Sequence, residues 1–145
     1  MNLKMTKYIG TKNILATPMG RKEYNDYRGW ELPSNEDGTD RGMLVEYLDG
    51  GKSNHPDHKG YISWSPLEVF DKSYQVSEYF SDRILIEARN LAAKLNGLNS
   101  YMATENFVNL DRENKDLLYS QSRLMNEYLQ VLGKRLELSK VKFKF

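Results

Sequence analysis

The stretch "GYISWSPLEVF", Gly60–Phe70, reads as an extended segment running straight into a helix. Strand alternation sets Ile62 and Trp64 on one face, and Tyr61 and Ser63 on the other. Ser65 then offers a capping hydroxyl, Pro66 suits a first helical position, and Glu68 completes a capping box with Ser65. One reading places Ile62, Trp64, Val69 and Phe70 in the core of a small sheet-plus-helix module, because large aromatics dominate small cores. The sharper reading makes the aromatics a stacking platform for a base or nucleotide.

Upstream, the pattern alternates between extended runs and turns. "KYIGTKNILATPM", Lys7–Met19, is β-branched and aromatic and predicts a strand. "GRKEYNDYRGW", Gly20–Trp30, spaces Tyr24, Tyr27 and Arg28 helically, and Gly29 stops the helix. "LPSNEDGTDRG" is a polar loop. "MLVEYLDGG", Met43–Gly51, is a strand ending in a turn signal, and "KSNHPDHKG" is a second loop.

Downstream, the chain changes character. All 4 prolines and 8 of the 10 glycines lie at or before Tyr74, which separates a turn-rich module from a helical one. From Val76, apolar residues fall at Phe80, Ile84, Leu91, Leu95, Leu98 and Met102, at helical steps. "TENFVNLDREN" interrupts, with Asp111 as a helix cap. Leu117, Leu118, Leu124, Met125, Tyr128, Leu132 and Leu136 form a second stripe, widened by adjacent apolar pairs. One partner helix does not cover so wide a face, so the hairpin is expected to pack against the front module or another subunit. The expectation is an α+β protein. A small antiparallel sheet with short helices occupies residues 1–74, and a two-helix hairpin occupies residues 75–145.

Composition limits the chemistry. The 145 residues are 39% hydrophobic and 28% charged, an ordinary globular mixture sufficient for a modest core. The net charge of +1 steers nothing toward nucleic acid, and the absence of cysteine removes disulfides and thiolate metal sites. No signal core or long apolar run is present, so a cytoplasmic protein without membrane contact is expected. "NHPDH" supplies His55, Asp57 and His58, but its HxxH spacing sits in a proline-containing loop, and a solvated turn is the simpler reading. No nucleophile motif or phosphate loop occurs. The expectation is therefore no enzyme, no metal and no cofactor. Arginines near aromatics remain as candidate ligand contacts: Arg28 with Trp30, and Arg83, Arg89 and Arg123 on the helices. A guanidinium fork matches phosphate oxygens.

The quoted front segments resemble a small N-terminal module widespread in bacteriophage proteins. Some proteins carrying it look like Thoeris anti-defence proteins, which sequester nucleotide-derived immune signals. "IEARNLAAKLNGLNSYMATENFVNL" and "LLYSQSRLMNEYLQVLGKRLEL" resemble a phage helical-hairpin family. The resemblance implies a phage counter-defence protein in the host cytoplasm. Its expected role is a homo-oligomeric sponge that binds a cyclic nucleotide or a cyclic ADP-ribose-like signal without cleaving it. The alternative is an inhibitor that grips a bacterial defence protein through its hairpin.

Overall fold

The computed structural model describes residues 1 and 3–139; the last residues of the hairpin range, 140–145, lie outside the described residues. The chain forms two compact units, Met1–Tyr74 and Gln75–Phe145.

The first unit is a three-stranded antiparallel sheet with two short helices. Its elements are β1 (Ile14–Pro18), α1 (Arg21–Arg28), β2 (Gly42–Tyr47), β3 (Ile62–Pro66) and α2 (Leu67–Ser73). Strand β2 is central and pairs with both neighbours, Leu44 lying opposite Thr17 and Trp64. Helix α1 ends at Gly29, whose φ of 69° suits a residue without Cβ. It lays Tyr24 onto Leu44 and Ile62 to make the core, with Met19, Tyr27 and Trp64 packed around them. Val45 is 1% exposed although its neighbour Leu44 points the other way, so β2 is covered on both faces.

Trp64 belongs to this core. Its indole N–H donates to the Met19 carbonyl at 2.8 Å, and the Arg21 guanidinium lies 4.9 Å from its ring centroid. A Cβ at Gly42 would come within 2.4 Å of the indole, so glycine there is what lets the ring lie across the strand. Tyr61 is half-exposed beside Tyr47.

Two local expectations are corrected. Ser65 does not cap α2, because it pairs with Met43 in the sheet and the helix begins only at Leu67 after Pro66, with no side-chain cap. Ladder pairing wins over the capping motif. Val69 lies outside the core at 55% exposure, since a helix of two turns buries little of its surface.

The second unit holds α3 (Phe80–Met102), α4 (Glu105–Val108) and α5 (Arg112–Leu138). Asp82 accepts the backbone N–H groups of Glu78 and Tyr79 at 3.1 and 2.9 Å, which starts α3 at Phe80 rather than Val76. Phe80 is consequently 58% exposed at the fraying end, outside the apolar stripe that its spacing predicts. Asp111 begins α5, its carboxylate accepting from the Asn114 amide at 2.6 Å. At the joint, buried Phe107 meets Tyr101 and Tyr119 edge-on. The hairpin core is Ile84 and Ala88 of α3 against Leu132 and Leu136 of α5, flanked by Leu85, Leu91 and Leu129. No described helix is long and apolar enough to cross a membrane.

Candidate functional site

Two polar constellations stand out. The first lies in the loop between β2 and β3. His58 Nδ1 is 2.8 Å from a Glu46 carboxylate oxygen, and its Nε2 is 2.9 Å from the Tyr27 hydroxyl. The carboxylate fixes the proton on Nδ1, so Nε2 accepts from the tyrosine. Glu46 also accepts the Gly60 N–H at 2.9 Å, and His55 stacks on Tyr27 at 4.3 Å. The chain Glu46–His58–Tyr27 has the connectivity of a hydroxyl relay. The Tyr27 hydroxyl, however, is pushed above the ordinary phenol range by burial and by the charges of Asp57 and Glu46, which is opposite to activation. Among the described residues no group of three or more metal-ligating side chains is arranged to hold a metal ion. The constellation clamps the loop onto α1 and β2.

That clamp gives an acid-side prediction. Hydrogen bonds from His58 and then Gly60 hold the Glu46 carboxyl below its ordinary value of 4.5. A depressed carboxylate contributes stability above its unfolded value and loses it as pH falls through the folded one. The first unit should therefore weaken below about pH 4.5, and Glu46→Gln should flatten that loss. Tryptophan fluorescence reads it, since Trp30 and Trp64 both lie in this unit. Equal acid sensitivity in the variant would contradict the assignment.

The second constellation lies on one face of the hairpin. On α3, Arg83, Glu87, Asn90 and Lys94 follow at steps of four, three and four, so they share one helix face. The Tyr128 hydroxyl of α5 donates to the Glu87 carboxylate, which fixes this polar row beside the half-exposed Tyr128 ring. The bond to Glu87, with burial, raises the Tyr128 pKa, while the Arg135 charge acts in the other direction. Arg83 and Lys94 thus flank Glu87 on the same helix face, about 6 and 10.5 Å away along the axis, with the half-exposed Tyr128 ring held at Glu87. Such a set can stack a base and neutralise phosphate.

The arginines expected from the sequence are distributed unequally. Arg83 belongs to this face. Arg89, six residues on, is turned away by about one and two-thirds helical turns. Arg123 is exposed on α5 and pairs with Glu127 at 3.2 Å. Arg28 and Trp30 do come together in the other unit. The Arg28 guanidinium lies 4.3 Å from the Trp30 ring centroid, and its Nη1 donates to the Tyr24 hydroxyl at 3.3 Å. Trp30 is 51% exposed, and among the described residues Arg28 has no carboxylate partner. Glu87 and Tyr128 become candidate contacts only through the hydrogen bond between the helices, and Lys94 through its place in the same row. The polar four-three-four row was available in the sequence; its pairing with Tyr128 was not.

Residues 78–138 match the Sequestin family model. The Sequestin-matched segment contains all three helices of the second unit and with them the Arg83–Glu87–Tyr128 face. The sheet-bearing unit lies outside it. No curated protein and no solved structure matches the chain.

Proposed function

We propose that the protein is a non-enzymatic sponge that sequesters a small phosphorylated signal, a cyclic nucleotide or a cyclic ADP-ribose-like molecule. It acts as a homo-oligomer in the cytoplasm of a phage-infected host. The observation that carries this reading is the Sequestin match over the segment that holds the Tyr128 face. The family name denotes sequestration, and the face supplies the chemistry that such a ligand needs. The Tyr128 ring stacks on a base, and Arg83 and Lys94 neutralise phosphate. The Arg28–Trp30 patch offers a fork and an indole in the other unit.

The test is to incubate the protein with cyclic di- and trinucleotides and with cyclic ADP-ribose isomers, wash, denature and analyse what is released. Recovery of intact ligand is expected. A charge-assisted contact is worth about 1.5–3 kcal/mol, so Arg83→Ala should weaken retention roughly tenfold to a hundredfold. The same loss in Arg28→Ala, with Arg83→Ala unaffected, would move the site to the first unit. Cleaved product would make the protein an enzyme. No retention of any ligand favours the second reading, an inhibitor that grips a host defence protein, for which the exposed apolar residues of α5 are the supporting observation.

A further inference from the structure

Helix α5 carries two apolar stripes. The inner one, Leu118, Met125, Leu129, Leu132 and Leu136, is buried or half-buried. The outer one is Leu117, Leu124, Val131 and Leu138, seven residues apart and 62%, 54%, 54% and 84% exposed. A seven-residue repeat keeps these side chains on one face, drifting only about 20° per repeat. A hairpin has one partner helix for α5, and α3 is spent on the inner stripe.

The charges that bracket the outer stripe are symmetric about its centre. Glu113 lies four residues before Leu117, and Arg135 lies four residues after Val131. Among the described residues, neither has an ion-pair partner. A second α5 running antiparallel, with a two-fold axis at Leu124, sets Leu117 against Val131 and Glu113 against Arg135, twice over. A parallel copy would oppose Glu113 to Glu113 and Arg135 to Arg135, which repel. We propose that the outer stripe of α5 is a homodimer interface, antiparallel and centred on Leu124. This deepens the oligomer part of the reading above. Because its test needs no ligand, its failure would leave sequestration standing.

The chain has no cysteine, so introduced ones report on the interface directly. A disulfide needs Cα atoms within about 7 Å. Leu124→Cys chains should cross-link to themselves under mild oxidation. Leu117→Cys chains should not, because their partners would lie about 21 Å apart along the helix. A mixture of Leu117→Cys and Val131→Cys chains should cross-link. Gln130→Cys, exposed on another face, is the negative control. Leu124→Glu should reduce the mass seen by light scattering from two chains to one of 16.9 kDa, with its helical circular dichroism retained. Self-linking at position 117, no link between 117 and 131, or a wild-type protein of single-chain mass at micromolar concentration would each overturn the proposal.

Discussion

Leu132→Ala should lower the stability of the helical unit by about 2–5 kcal/mol, the range for truncating a buried leucine. Leu132 has no exposed surface and closes a cluster with Ile84, Ala88 and Leu136. Ala88 opposite is already small and fully buried, so it contributes no flexible side chain to fill the gap. The rest of this core is aliphatic side chains on two long helices, which repack only by shifting the helices. Against a total stability of about 5–15 kcal/mol for an ordinary domain, this is a large fraction. Far-ultraviolet circular dichroism follows it during heating, because three helices make up most of the described part of this unit. An unchanged midpoint would mean that α3 and α5 do not meet through Leu132.

Trp64→Ala should cost the first unit about 3–5 kcal/mol, as for other large core aromatics. Three contacts are lost together: packing on the Tyr24–Leu44–Ile62 cluster, the N–H bond to the Met19 carbonyl, and the guanidinium of Arg21 over the ring. The hole is lined partly by Gly42, which has no side chain to fill it. Trp64→Phe separates the contributions. It keeps most of the packing and leaves the Met19 carbonyl without its donor, at about 1–3 kcal/mol. Trp30 remains as the fluorescent reporter in both variants. Wild-type stability in Trp64→Ala would remove Trp64 from the core and restore the stacking platform.

Both predictions rest on features that differ in how far the sequence alone determines them. The change from turn-rich to helical near Tyr74 is compositional, since proline and glycine act locally on the backbone. The end of α1 at Gly29, the start of α5 after Asp111 and the wide apolar stripe of α5, with its two sides not yet distinguished, follow equally from local rules. Ser65 marks the limit of those rules. Its capping motif is sound in isolation, but pairing with Met43 claims it for the sheet. Phe80 and Val69 show the same limit for burial, because periodicity says which residues share a face, and not where a helix ends or how much it covers.

The candidate site required tertiary structure. Arg83, Glu87 and Lys94 form one row by spacing alone, but only the packing of α3 on α5 brings Tyr128, 41 residues from Glu87, onto that row. The same packing decides which side of the wide α5 stripe is consumed and which remains exposed. The sequence by itself determined that α5 carries more apolar surface than one helix can cover. Tertiary structure decided that the surplus is the Leu117–Leu124–Val131–Leu138 edge, because Leu132 and Leu136 are the side chains that reach Ile84 and Ala88.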